Sequence, residues 1–302
     1  MTAHHAHAGA VTPALLLLAL VAYLIPAARA ASWKGWRSAM FAAGLALVAA
    51  AVTGPIAAWA ATDFRGHMVQ HLLIGMLAPL GLVLGAPMTL LLRSLPAAHA
   101  RRLARLLRHR AAHAFANPVT ALVLSAGGMI VLYCTPLYRH VTTNGWLHAA
   151  VHVHFLLSGC LFAWVIAGPD PAPRRPSVVA RLVVLGVAIA AHSGLSQLMY
   201  AGIAVDLPVP EEQRLGAAEI MYYGGDLAEL LLALALVAGW RPRPAVRRRV
   251  AGTGRPGQDS PFFRDADTVA AASLGAPDQA KQPRWPSFAQ SRRGGRGAGV
   301  RP

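Results

Sequence analysis

Seven stretches of this 302-residue chain are each long and apolar enough to cross a bilayer, near 11–28, 39–60, 67–92, 118–137, 146–167, 179–201 and 217–239. A transmembrane helix needs roughly 20 apolar residues. Inside hydrocarbon every backbone amide must be satisfied internally, so the choice lies between helices and a closed barrel. The runs are continuous and not alternating, which excludes the barrel. Composition agrees, with 55% of residues hydrophobic and only 13% charged. The expectation is an all-α membrane bundle of seven transmembrane helices over residues 1–240.

Lys and Arg set its orientation. Segments 29–38, 93–117, 168–181 and 241–302 hold 25 of the 28, and the alternate segments hold only Arg65, Arg139 and Arg214. The positive-inside rule then puts the N-terminus outside and the C-terminus in the cytoplasm. The first run is expected to remain as a helix. "AARA" (27–30) looks like a cleavage site, but "MTAHHAHAGA" ahead of the run has no Lys or Arg, and a signal's n-region is basic. Cleavage would remove His4, His5 and His7.

Residues 241–302 are a different material. They carry 13 basic and 4 acidic residues and are rich in Gly, Pro, Ser and Arg. A disordered cytoplasmic tail is expected, with "RPRPAVRRRV" (241–250) lying on anionic lipid. In this membrane context no nucleic-acid partner is expected. In "AHARRLARLLRHRAAHAF" (98–115), Leu103, Leu106 and Leu107 recur at helical spacing among arginines, as in a helix lying on the membrane surface. Cys134 and Cys160 fall inside apolar runs and read as small buried side chains, not as a disulfide framework.

Histidines open two of the runs, "HMVQHLLIG" (67–75) and "HAAVHVH" (148–154). Both runs go inward, so both sets lie at the outer surface. Residues four apart share a helical face, which pairs His67 with His71 and His148 with His152, and turns His154 away. His192 lies ~14 Å below the outer end of the sixth run, and Asp226 lies at a similar depth in the seventh. Glu219, Tyr222, Asp226 and Glu229 form one stripe, and His192, Ser196 and Met199 another with Gln197 nearby. His99, His109 and His113 belong to the basic loop and read as solvated surface.

Ionisable groups inside a membrane are a functional hypothesis by default. Neutral imidazole is the commonest metal ligand. Paired histidines with Met or carboxylate nearby suit copper or zinc, and Met68, Met199 and Met221 favour Cu(I). Three other uses stay open: bis-histidine haem ligation, a proton relay through His192, Asp226 and Glu229, and hydrogen bonds that only hold the bundle together. The chain has no H-E-x-x-H and no Gly-rich phosphate loop, and its only lysines, Lys34 and Lys281, exclude a retinal Schiff base in the seventh helix. No catalytic residue is expected, and the chain does not read as an enzyme.

Five segments carry a resemblance: "HMVQHLLIGMLAPLGLVLGAPMTLLLR" (67–93), "YCTPLY" (133–138), "HAAVHVHFLLSGCLFAW" (148–164), "GPDPAPRR" (168–175) and "EEQRLGAAEIMYYGG" (211–225). In order and spacing, over roughly 11–240, the chain resembles the CtaG family of polytopic assembly factors for caa-type haem-copper cytochrome c oxidase. The resemblance implies a role in maturing the oxidase at its copper centres. The family pattern has histidines where His67, His71, His148, His152, His154 and His192 stand. It usually reads Asp-Gln where this chain has Glu212-Gln213. Some relatives are fused to a copper-resistance membrane domain, and none is expected here.

The combined expectation is a multi-pass plasma-membrane protein that binds or relays copper at an outer-face site. His67, His71, His148 and His152 would converge on one ion. His154 and His192 complete the candidate metal set, and Met68, Asp226, Glu229, Met199 and Met221 support it. The expected partners are oxidase subunits, the lipid bilayer and a copper chaperone. The alternative is a haem- or proton-handling membrane protein or a small transporter.

Overall fold

Prolines and glycines cut the long apolar runs into shorter helices. The computed structural model describes residues 2–107, 109–172 and 175–239, with side chains from Thr12 onward except at Ala111. The expected tail and the His4, His5, His7 cluster lie outside these described residues and side chains. In chain order the helices are α1 (Thr2–Arg29), α2 (Gly35–Val52), α3 (Gly54–Ala60), α4 (Phe64–Leu72), a π-helical turn (Leu73–Leu77), α5 (Ala78–Leu84), α6 (Pro87–Ser94), α7 (Ala97–Leu107), α8 (Arg110–Phe115), α9 (Pro118–Cys134), α10 (Leu137–Thr143), α11 (Gly145–Ala167), α12 (Val178–Ala201) and α13 (Glu211–Ala238). There is no strand among the described residues. Six segments are long and apolar enough to span a membrane, and the bent pair α9–α10 makes a seventh if it counts as one span.

Local chemistry explains where the helices depart from the apolar runs. The second run was expected to continue to residue 60, but α2 stops at Val52. Thr53 is extended, its hydroxyl turns back to the Ala49 carbonyl at 2.6 Å, and Gly54 adopts φ +67° just before Pro55. The fourth run was expected to reach 137. It ends at Cys134 because Thr135 precedes a proline and is driven to extended geometry, and α10 leaves at 83°. The third run is divided. Pro79 has no N–H to give to the Gly75 carbonyl, and the π-helical turn sits at that gap. Ala86, left-handed at φ 54°, then separates α5 from α6. The seventh run begins earlier than expected, at Glu211, where Glu211 and Glu212 in the first turn complement the helix dipole.

Packing in lipid relies on close van der Waals fit. At the end of the bundle where the histidines of α4 and α11 lie, Phe64, Met68, Met129, Tyr133, Phe155, Met199 and Met221 belong to one buried cluster. Toward the opposite, arginine-rich end, Phe162, Ile166, Leu185 and Leu232 belong to a second. The Asp170 carboxylate is buried there. It accepts from the backbone N–H groups of Met88 at 3.1 Å and Thr89 at 2.7 Å, and from the Thr89 hydroxyl at 2.6 Å, so it caps α6. Arg175 donates to the carbonyl oxygens of Gly168 and Asp170 and so closes this loop. Tyr23 donates to the Gly85 carbonyl at 2.7 Å and ties α1 to the same corner.

Candidate functional site

At the histidine end the segment before α4 docks on the start of α13. Asp63 caps α4 by accepting from the Arg65 N–H at 2.8 Å, and the Gln213 side-chain carbonyl accepts from the Phe64 N–H at 3.1 Å. Arg65 also reaches Asp63 at 2.7 Å and Glu212 at 3.5 Å. Its hydrogen bonds hold the Asp63 carboxyl below the usual carboxylate range. Glu212-Gln213 thus fixes the entry of α4.

That entry sets His67 and His71 on the buried face of α4. Aromatic rings enclose both. His67 stacks on Phe64 at 5.7 Å between centroids and meets Tyr138 edge-on at 5.4 Å, and His71 meets Phe155 edge-on at 4.6 Å. On α11 the rings of His148 and His152 lie 4.2 Å apart. His67, His71 and His152 line one small cavity of about 10 Å³, with Ile74, Leu132 and Val151 among its walls. The two pairs expected to converge are therefore neighbours, with His148 behind His152. Even so, among the described residues no three His, Cys, Asp or Glu side chains are gathered into a group that could hold a metal ion.

His154 faces elsewhere, as its offset from His152 requires. Its Nε2 lies 3.1 Å from the Leu124 carbonyl oxygen. A carbonyl only accepts, so this nitrogen carries the proton and the ring bonds α11 to α9.

His192 is 1% exposed in the α12–α13 interface, and neither ring nitrogen has a hydrogen-bond partner. Its ring lies directly on Gly225. The neighbouring Asp226 accepts from Ser193 at 3.3 Å, so His192 and Asp226 share a level without bonding to each other. Met68, Met199 and Met221 are fully buried in the apolar and aromatic cluster. The methionine set against an imidazole is Met129, whose sulfur lies 3.3 Å from His71 Nε2. Sequence reasoning missed it, because a Met inside an apolar run reads like any other core residue. Glu219 is exposed, Tyr222 half-buried and Glu229 buried. Cys134 and Cys160 are both free thiols.

The second cavity, of about 50 Å³, lies deeper. His71, Met76, Ser125, Met129 and Glu229 are its polar or sulfur-bearing lining. Glu229 is 4% exposed, and its Oε2 has no hydrogen-bond partner. His71 lines both cavities. Gly159 makes this wall possible, because a Cβ there would come within 2.1 Å of the Gly75 carbonyl oxygen.

The chain is 30% identical to an uncharacterized protein of Mycobacterium leprae over 252 residues, which is 76% of this chain and 38% of that protein. It is also 30% identical to uncharacterized proteins of Mycobacterium bovis and Mycobacterium tuberculosis over 257 residues, 78% of this chain and 38% of each. The chain thus spans well under half the length of these relatives. No solved structure matches it. The family model for the cytochrome c oxidase caa3 assembly factor (Caa3_CtaG) matches residues 17–243. That match runs from within α1 to beyond α13 and takes in both cavities and every histidine around them, so the chain belongs to the cytochrome c oxidase caa3 assembly factors.

Proposed function

We propose that this protein matures cytochrome c oxidase by binding copper at the histidine end of the bundle and relaying it onward. The observation that carries the reading is the small cavity shared by His67, His71 and His152, with the His148 ring against His152. Imidazole nitrogens with nearby thioether sulfur match the preference of Cu(I). Binding requires side-chain rotation, since the rings are neighbours but not yet a ligand set. His154 is held by its bond to Leu124 and serves the bundle more than the ion. His192, with neither ring nitrogen hydrogen-bonded, lies within electrostatic reach of His71 from the α12–α13 interface and stays in the candidate set. The protein acts as a carrier and not as a catalyst. Its partners are oxidase subunits and a copper chaperone that reaches the site from outside.

The topology that fits is seven spans in the plasma membrane, with the N-terminus outside and the C-terminus in the cytoplasm. It is supported by the confinement of 25 of 28 Lys and Arg to alternate segments.

The test is the pair of substitutions His71→Gln and His152→Gln. An amide replaces a hydrogen-bonding partner but is a poor ligand for copper. The double variant should accumulate in the membrane, lose copper and lower active oxidase. Normal copper content and normal oxidase would reject the site. Loss of the protein itself would favour a purely structural role for the rings.

A further inference from the structure

Resting on the copper reading, we infer a second, deeper Cu(I) station formed by His71, Met129 and Glu229, reached from the outer cavity through the shared His71 ring. Three observations meet there. The Met129 sulfur and His71 Nε2 are 3.3 Å apart, so a modest rotation admits an ion between a thioether and an imidazole. The cavity beside them is about 50 Å³, several times the volume one water-sized occupant needs. Its wall also holds the buried, unpartnered Glu229 carboxyl oxygen.

The donor set suits one ion in particular. Thioether sulfur is a soft ligand that selects Cu(I) over zinc or hard cations. A d10 ion tolerates two or three ligands, so a trigonal sulfur, nitrogen and oxygen set is sufficient. One carboxylate also balances the single positive charge. That matters in the membrane interior, where an unpaired ion is costly. No oxidation state changes: Cu(I) exchanges one imidazole-containing set for another, and Glu229 gives up its proton if it holds one.

His71 links the stations because its ring borders both spaces. With His67 and His152 it belongs to the outer set, and with Met129 and Glu229 to the inner one. The π-helical turn begins two residues after His71. Turns of this kind recur at functional sites in helices.

X-ray absorption at the copper edge tests the proposal on the full-length protein, purified in detergent and loaded with Cu(I) alone. The expected wild-type spectrum contains a sulfur neighbour. Met129→Leu keeps the side-chain volume, and it should remove that neighbour and weaken Cu(I) retention against a competing chelator by tenfold or more. Glu229→Gln should weaken retention with the sulfur still present. Met76→Leu, which removes the other thioether of the cavity wall, should change neither, and nor should Met68→Leu or Met199→Leu. Should Met129→Leu fail to accumulate, Met76→Leu protein grown with selenomethionine gives the answer at the selenium edge as a copper–selenium distance, since Met129 then holds the one thioether left in that wall. Copper bound by nitrogen alone, or unchanged in Met129→Leu, overturns the deeper station and leaves the outer site standing. No copper bound by the wild type overturns both. A sulfur neighbour that persists in the double His148→Gln, His152→Gln variant supports the deeper station even if the outer site fails.

Discussion

The imidazole of His192 lies so close to Gly225 that a Cβ at residue 225 would come within 1.8 Å of Cε1 and 2.1 Å of Nδ1. Gly225 is therefore the socket that lets α12 and α13 approach at this level. Gly225→Ala should displace the ring and cost about 1–3 kcal/mol, seen as a lower unfolding temperature in detergent. His192→Ala should recover most of the loss in the double variant, because the clash then has no partner. Additive losses would show that the glycine is needed for some other reason.

Asp170 gives a second prediction. Its carboxylate serves two backbone N–H groups at the start of α6 and one hydroxyl. Asp170→Ala leaves those donors buried without an acceptor and should cost about 2 kcal/mol or more. Asp170→Asn keeps one acceptor oxygen and should cost less. Thermal unfolding of the purified variants ranks them, and equal losses would contradict the capping role.

His154 should separate from the other histidines. Its ring bonds to the Leu124 carbonyl and faces α9. His154→Gln should leave copper content within error of the wild type, whereas His71→Gln should not. Metal analysis of the two proteins side by side decides the matter, and parallel loss would return His154 to the ligand set.

Topology can be read with fusions. A reporter joined after residue 145 should be external, and one after residue 245 cytoplasmic. The reverse at either point means that a span has been miscounted, most directly at the bend between α9 and α10.

The start of α4 should respond to acid. Hydrogen bonds from Arg65 hold the Asp63 carboxyl below its ordinary value. A depressed carboxyl contributes above its unfolded value of about 3.9, and the contribution fades as pH falls through the lower folded value. Amide protection at residues 65–68 should be flat from neutral pH to about 5 and fall below about 4. Asp63→Asn should remove the transition, and an unchanged profile in that variant would assign it to another group.

The helical class and most spans were legible because apolar length is a direct consequence of the bilayer. Breaks at Pro55, Pro136 and Pro87 carried their own signals, though an apolar count runs straight through them. The approach of His67 and His71 to His152 followed from spacing on two helices that enter from the same end. Met129 was illegible for a physical reason. Its sulfur matters only because the Met129 side chain of α9 reaches His71 of α4, and that meeting is a tertiary fact. Asp170 is similar: its partners at Met88 and Thr89 lie some 80 residues away in sequence, and nothing local to "GPDPAPRR" names them.

The π-helical turn at Leu73–Leu77 also bears on how this chain tolerates changes in length. A wider turn takes in one residue more than a regular one, so the helical phase upstream and downstream can be set independently. His67 and His71 keep their bearing toward α11 and α13, while Gly81 keeps its bearing against Gly44 of α2. Removing one residue from within the turn should tighten it to ordinary helix and leave both faces in phase. The same deletion two turns away would swing one face by about 100°. The site and the scaffold beneath it are thus geared separately along a single rod.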